Sequence, residues 1–132
     1  AKTLEIIMKI TPDNITKYTN LFADLYTAVD AKDADGVVRH VADDVTFKLG
    51  NFDQLTGRTI VKDANVAFFD TISGMHHTST GIWESGPMAF CEGLVRYTRK
   101  DLSEYEVPFA TRLEIRNNEI KDYRIFVDIS EL

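Results

Sequence analysis

The first half of the chain repeats apolar residues at the spacing of amphipathic helices. They recur every three or four positions from residue 15 to residue 29, which predicts a helix with one buried face. Thr11-Pro12 has the form of an N-cap followed by proline at the first helical position, so we expect the helix to begin there and to end near Asp30. The apolar stripe consists of Ile15, Tyr18, Phe22, Leu25, Tyr26 and Val29.

Two more helices and one strand are predicted before residue 75. Asp33 is expected to cap a short second helix, and Thr59 to cap a third helix that stops at Ser73-Gly74. Between them, Asp43-Asp44 predicts a turn and alternating apolar residues predict a strand over 45–49. Residues 1–10 alternate weakly and leave an extra strand, a turn of helix or a flexible N-terminus open. The inward-facing residues predicted for the two helices are Val37, Val38 and Val41, then Ile60, Ala64, Phe68 and Ile72.

From residue 75 onward the apolar period changes to two, which is typical of strands. Short polar turns separate the segments, and connections this short join neighbouring antiparallel strands. The predicted fold is therefore α+β, with three N-terminal helices packed on a strongly curved, mainly antiparallel sheet that forms a cone with an internal pocket. Phe126 lies among charged residues on the outer face, so we expect a homodimer through that face. The predicted strands are 75–84, 88–99, 104–116 and 119–129.

Size and composition narrow the classes of function. The 132 residues contain no linker or repeat, so one domain over 1–132 is expected. The net charge of −6 and scattered basic residues argue against binding nucleic acid. No apolar run approaches the roughly 20 residues that span a bilayer, so no membrane association is expected. A single cysteine, Cys91, gives neither a disulfide nor a metal-binding spacing, and we expect a cytoplasmic protein without a metal site.

Several strings, taken in order, resemble the SnoaL-like proteins of the nuclear transport factor 2-like superfamily. They are DAKDADGVVRHVADDVTFKLG (30–50), LTGRTIV (55–61), CEGLVRYTR (91–99), VPFATRLEI (107–115) and IKDYRIFVDISEL (120–132), and the likeness covers about residues 11–132. The resemblance implies a cystatin-like α+β fold with a small-molecule pocket. The superfamily holds polyketide cyclases, ketosteroid isomerases, dehydratases, epoxide hydrolases and binding modules, so it implies no single activity.

Two catalytic residue sets of the superfamily are missing from this sequence. Aligned on Ala42-Asp43-Asp44, the positions of the ketosteroid isomerase set hold Leu49, Leu25, and Ala110 or Thr111. The acid–base residues of limonene epoxide hydrolase fall on Gly93, Val95 and Ile125. Neither chemistry is expected here.

Scytalone dehydratase gives a partial match. The resemblance places its helix-end carboxylate on Asp30 and one of its pocket histidines on His77, with Tyr26 one turn before Asp30. Its second histidine has no counterpart. A carboxylate bonded to one imidazole nitrogen fixes the tautomer and makes the other nitrogen more basic, so His77 is predicted to move a proton beside a carbonyl. Tyr97 or Tyr123 is predicted to stabilise the oxyanion.

The sequence thus predicts a catalytic group of His77, Asp30 and Tyr26 and a ligand-binding wall of eight residues. The enzyme hypothesis is a cyclase, isomerase or dehydratase that needs no cofactor and acts on a lipophilic carbonyl compound. The alternative is a non-catalytic module that binds a small apolar organic ligand or serves as a dimeric partner. Because side chains alternate between the two faces of a strand, two questions stay open. One is whether His76 or His77 faces the pocket, and the other is whether Glu92 and Arg96 face the pocket or the dimer interface. The ligand-binding residues are Phe22, Leu49, Phe68, Val95, Tyr97, Thr111, Tyr123 and Ile125.

Overall fold

The computed structural model describes residues 17–132, and this part of the chain forms three helices and six strands. The predicted cap at Thr11-Pro12, the alternatives for residues 1–10 and the apolar position Ile15 lie outside the described residues. The helices are α1 (Thr19–Asp30), α2 (Ala34–Val37) and α3 (Arg58–Phe69). The strands are β1 (Val41–Leu49), β2 (Leu55–Thr56), β3 (Gly74–Ser85), β4 (Met88–Thr98), β5 (Glu104–Arg116) and β6 (Glu119–Val127).

The six strands form one mixed sheet in the order β2-β1-β6-β5-β4-β3. Strands β3 to β6 are successive antiparallel neighbours, as the short turns predict, and β1 lies parallel to β6. Helix α1 contacts β3 near one edge of the sheet, and α3 contacts β1 near the other. The α+β class with three helices on a mainly antiparallel sheet is confirmed.

The first long strand begins earlier than predicted. Asp33 does cap α2, because its Oδ1 accepts a hydrogen bond from the backbone N–H of Gly36 at 3.1 Å. However, Val41 belongs to β1 and not to the second helix, and Asp43-Asp44 lies within the strand instead of forming a turn. The pairing of β1 with β6 shifts register between Val41 and Thr46. This irregularity lets two consecutive acidic residues stay exposed in the strand.

The buried face of the third helix is also displaced by one position. Gly57, with φ at +105°, precedes the helix in place of the predicted cap Thr59, and its N–H donates to the carbonyl of Val45. This anchor fixes the rotation of α3 about its axis. The predicted core position Ile60 is 51% exposed, and Ala64 and Phe68 are only half-buried. The face on the sheet is Val61, Asn65 and Phe69. Ile72 is buried as predicted, but it lies beyond the end of the helix.

The strands β4 and β5 alternate cleanly between the helix-covered face and the outer face. In β4, Cys91, Val95 and Tyr97 are buried while Glu92 and Arg96 are exposed. The last strand ends at Val127 and not at the predicted residue 129. Within residues 17–132 no helix has both the length and the apolar character that crossing a membrane requires.

Candidate active site

A carboxylate–imidazole pair lies where the end of α1 meets the edge strand β3. Nδ1 of His77 lies 2.6 Å from Oδ1 of Asp30, and the backbone N–H of His77 donates to Oδ2 of the same carboxylate at 3.0 Å. Both carboxylate oxygens of Asp30 therefore contact His77, one at its ring and one at its backbone, so the carboxylate fixes the position of both. Because the carboxylate accepts the Nδ1 proton, the neutral ring presents an unprotonated Nε2. No hydrogen bond from residues 17–132 reaches that Nε2.

Two aromatic rings hold the imidazole in place. Tyr26 stacks on His77 with a centroid distance of 4.8 Å and an interplanar angle of 28°. Phe109 meets the same imidazole edge-on at 5.0 Å. The hydroxyl of Tyr26 donates to Oγ1 of Thr111, a buried contact that leaves the phenol no proton to offer a ligand. The ring of Tyr26 thus supports the imidazole, while its hydroxyl is bonded to Thr111.

His77 lines a small cavity of about 40 Å³. Tyr97 and Tyr123 lie in the same wall, and neither hydroxyl has a hydrogen-bond partner among the described residues. Burial raises the pKa of both phenols above the usual range, and the charge of Asp30 adds to the rise for Tyr97. Both phenols therefore stay protonated near neutral pH and can donate a hydrogen bond. The full lining is Tyr26, Val29, Phe47, Leu49, Asn65, Phe68, Phe69, Met75, His77, Tyr97, Thr111, Tyr123 and Ile125.

A second, larger cavity of about 400 Å³ adjoins the first. The two share four lining residues, so the small inner cavity and the larger, mostly apolar outer one are direct neighbours. Further lining of the outer cavity comes from α3 and from the loop before β2. Its only charged lining residue among those described is Asp53. The shared residues are Phe47, Leu49, Asn65 and Phe68.

The structure brings most of the predicted ligand-binding residues to the inner cavity, but not all of them. Phe22 and Val95 are fully buried and do not line it, because Phe22 packs behind Tyr26 and Val95 lies behind His77 in the neighbouring strand. The residues that do line it are Leu49, Phe68, Tyr97, Thr111, Tyr123 and Ile125.

Sequence reasoning missed five lining residues, of which Asn65 is the polar one. An asparagine four positions after the apolar Val61 and four before Phe69 was the available signal, because that spacing puts it on the same helix face. The predicted apolar stripe through Ile60 and Phe68 placed Asn65 off the buried face. The missed residues are Val29, Phe47, Asn65, Phe69 and Met75.

The structure shows which of the alternating strand residues face the cavity. His77 is buried and lines the cavity, while His76 is half-buried with its Nδ1 4.0 Å from Oδ2 of Asp30. Glu92 and Arg96 point to the outer face, where Nε of Arg96 pairs with Glu104 at 2.9 Å. The inner cavity therefore holds one imidazole among the described residues, with no arginine in its wall.

Cys91 lies beneath the cavity wall. Its Sγ is 3.2 Å from Oγ of Ser79, and burial raises the pKa of the thiol to about 11. The thiol is therefore protonated near neutral pH and unsuited to act as a nucleophile. Among residues 17–132, no three histidine, cysteine or acidic side chains converge as metal ligands would.

Structural comparison places this architecture among several proteins of low sequence identity, so the likeness concerns the fold. A hypothetical protein of Catenulispora acidiphila with a ketosteroid isomerase-like fold, solved with trimethylamine, is 20% identical with a TM-score of 0.77, covering 92% of this chain and 89% of that one. A candidate SnoaL-like polyketide cyclase of Shewanella putrefaciens is 12% identical with a TM-score of 0.75, covering 88% and 82%. An LEH-like epoxide hydrolase of M. tuberculosis is 14% identical with a TM-score of 0.71, covering 83% and 81%.

At the level of sequence, no functionally curated protein matches this chain. The family model of the SnoaL-like domain does match, over residues 22–123. That range begins in α1, ends in β6 and contains both Asp30 and His77. The chain belongs to the SnoaL-like domain family.

Proposed function

We propose that this protein is an enzyme of the isomerase, lyase or cyclase type that needs no cofactor and acts on a lipophilic carbonyl compound. His77 is its general base and acid, and Asp30 orients the imidazole. The observation that carries the proposal is the 2.6 Å contact between His77 Nδ1 and Asp30 Oδ1, in a residue that lines the cavity and whose Nε2 has no hydrogen-bond partner among the described residues. Buried polar groups are ordinarily hydrogen-bonded, so a ring nitrogen without a protein partner in a cavity-lining residue supports a role toward a bound molecule.

The proposed step is the formation of an enolate. Nε2 of His77 takes a proton from the carbon next to the carbonyl, the C–H electron pair forms the new C=C bond, and the carbonyl electron pair moves to oxygen. Tyr97 or Tyr123 donates a hydrogen bond to that oxygen, and Asp30 pairs with the imidazolium. Return of the proton to another carbon gives isomerisation. Its transfer to a departing hydroxyl group gives dehydration, and attack of the enolate on a second carbonyl of the same molecule gives cyclisation.

The two cavities suggest how a substrate would lie. The inner cavity of about 40 Å³ takes little more than a carbonyl group and its neighbouring carbon, whereas the outer one of about 400 Å³ is within the size range of drug-sized ligand pockets. The apolar body of the substrate would occupy the outer cavity, and its reacting end would pass Phe68 toward His77.

Hydrogen–deuterium exchange tests this proposal without knowledge of the natural substrate. α-Tetralone is apolar and has an enolisable carbon next to its carbonyl, so proton NMR in deuterium oxide reports every enolisation as loss of that signal. We expect the protein to accelerate exchange over buffer and His77→Gln to lower the rate by at least about a hundredfold, the lower range for a general base. Asp30→Asn should give a smaller loss, since the amide has only one oxygen for the two donors of His77.

His40→Gln is the matched control. His40 is a partly exposed imidazole that lies 3.6 Å from Asp24 and does not line either cavity, so its replacement should leave exchange unchanged. Wild-type rates in His77→Gln would refute the assignment of the base. No acceleration by the wild-type protein across a panel of enolisable ketones would refute the enzyme proposal as a whole.

The small inner cavity supports a second candidate, a non-catalytic module that binds an apolar ligand in the outer cavity. Phe68, Tyr97 and Tyr123 all line this cavity, and Phe68 packs edge-on against Tyr97 at 6.1 Å, as expected for a wall that is packed and not reactive. The same experiment separates the two candidates. Saturable binding of α-tetralone without exchange favours the module.

We also propose that two copies associate through the outer face of the sheet. This face carries the large exposed side chains Trp83, Phe90, Leu94 and Phe126, of which Trp83 and Phe90 are cross-strand partners. Phe126→Glu should convert a dimer to a monomer in light scattering, whereas Leu102→Glu, at an exposed turn, should not. A monomeric wild-type protein would contradict the proposal. The cytoplasmic location predicted from the sequence stays a prediction.

A further inference from the structure

Asn65 is a polar side chain buried among the apolar residues of the cavity walls. It is 9% exposed and lies on the face of α3 that packs on the sheet, between Val61 and Phe69. Burial of an amide costs free energy unless its donor and its acceptor are both satisfied. Only the donor side has a partner in the described part of the chain.

The orientation of this amide follows from its one hydrogen bond. Nδ2 of Asn65 donates to the carbonyl oxygen of Val61 at 2.9 Å. A carbonyl oxygen can only accept, so the NH₂ group and not the oxygen must face the helix backbone. Oδ1 is then the side-chain atom left to accept a hydrogen bond from a group in the space that Asn65 lines.

That space is the boundary between the two cavities. Asn65 is one of the four residues that line both, and the other three, Phe47, Leu49 and Phe68, have no polar side-chain atom. Among the side chains of these four residues, Oδ1 of Asn65 is therefore the one hydrogen-bond acceptor. A molecule that passes through it would satisfy this oxygen only with a donor group of its own.

We infer that Asn65 is a specificity-determining residue that accepts a hydrogen bond from a hydroxyl group of the substrate. This inference rests on the proposed function, because it assumes that the bound molecule is a substrate. The substrate class it names is lipophilic ketones with a hydroxyl group between the apolar body and the reacting carbonyl. A hydroxyl-free ketone that covers Oδ1 of Asn65 shuts water out and leaves this oxygen unpaired, which lowers the affinity of the ketone.

The test compares α-tetralone with a series of α-tetralones that carry one phenolic hydroxyl at successive ring positions. Isothermal titration calorimetry measures each affinity, and the exchange assay measures each rate. At least one hydroxylated member should bind the wild-type protein about three- to tenfold more tightly than α-tetralone, which corresponds to one neutral hydrogen bond. Equal affinity across the series, or no saturable binding by any member, overturns the inference.

Substitution of Asn65 tests the same point by a second route. Asn65→Leu fills a similar volume without an acceptor, so the preferred hydroxylated ketone should lose its advantage while α-tetralone binds at least as tightly as to the wild-type protein. Val66→Leu, one residue along on the exposed side of α3, is the control for packing of the helix and should keep the preference. A preference that survives in Asn65→Leu, in protein that unfolds at the wild-type temperature, overturns the inference.

Failure of this inference is distinguishable from failure of the proposed function. His77→Gln should keep the hydroxyl preference in binding while it loses exchange. If exchange is normal and the preference is absent, the acid–base proposal stands and the role of Asn65 is refuted. If the preference is present without exchange, Asn65 selects a bound ligand and the enzyme proposal is refuted.

Discussion

At residue 30 one carboxylate organises a cavity wall built from distant parts of the chain. Its two oxygens bind the ring and the backbone of His77, 47 positions later in the sequence. The same residue ends α1. Asp30 therefore fixes the imidazole relative to a helix as well as to a strand, which is the kind of support that a group moving protons requires.

Tyr26 lies beside His77, and its contacts suggest a role in positioning the imidazole. The sequence predicted it as part of the catalytic group, and the structure stacks it on His77 with its hydroxyl committed to Thr111. Its ring orients the imidazole, while its hydroxyl stabilises the buried polar contact between α1 and β5.

We therefore expect Tyr26→Phe to lower stability more than activity. The change removes a buried donor and leaves Oγ1 of Thr111 without it, at a cost of about 1–2 kcal/mol in the free energy of unfolding measured with urea. The ring remains on His77, so exchange of α-tetralone should stay within a few-fold of wild type. A hundredfold loss of exchange in folded Tyr26→Phe would show that the hydroxyl takes part in the chemistry. Tyr105→Phe, whose exposed hydroxyl donates to the carbonyl of Asp128, should be nearly neutral.

At the scale of elements, the β3–β4 hairpin places His77 on the cavity side. The pairing is regular from Gly74 to Ser79 and shifts by one residue between Ser79 and Gly81. This bulge lies after His77, so the alternation that turns His77 inward and His76 outward is set by the regular part. Gly93 stands opposite the bulge, and its missing side chain allows the strands to approach closely there.

Replacement of Gly93 by alanine should be strongly destabilising. A Cβ at this position would lie 1.8 Å from the carbonyl oxygen of Thr78, which is backbone of the neighbouring strand and cannot move aside like a flexible side chain. We expect a loss of about 2–4 kcal/mol in the free energy of unfolding. Gly74→Ala in the same hairpin is the matched control, because nothing lies within 4 Å of its added Cβ, and it should change stability by less than about 1 kcal/mol. Equal stability of the two variants would contradict this account of the bulge.

At the scale of the whole molecule, the packing of helices on the sheet buries three phenols around one cavity. Burial raises the pKa of Tyr26, Tyr97 and Tyr123 above the ordinary value of tyrosine, which is about 10. The folded protein therefore holds these protons at a pH where the unfolded chain releases them. Stability conferred in this way is complete below about pH 10 and declines as the pH rises through the raised pKa values.

We expect the free energy of unfolding in urea to fall steadily between about pH 10 and about pH 11. Tyr123→Phe should reduce the slope, because one fewer proton is lost on unfolding. Circular dichroism at a series of pH values provides the measurement. A slope that is the same in wild type and Tyr123→Phe would mean that Tyr123 ionises equally in both states.

The sequence by itself determined what depends on local spacing. Helical and strand periods, the cap at Asp33 and the polar turns predicted the element order and the α+β class, because each reflects contacts between residues a few positions apart. The tertiary structure decided the rotation of α3, which Gly57 anchors to β1, and thereby put Asn65 and not Ala64 against the sheet. It also decided that Asp30 meets His77 while Phe22 and Val95 stay behind the wall, since contacts between distant residues depend on the angles at which whole elements pack.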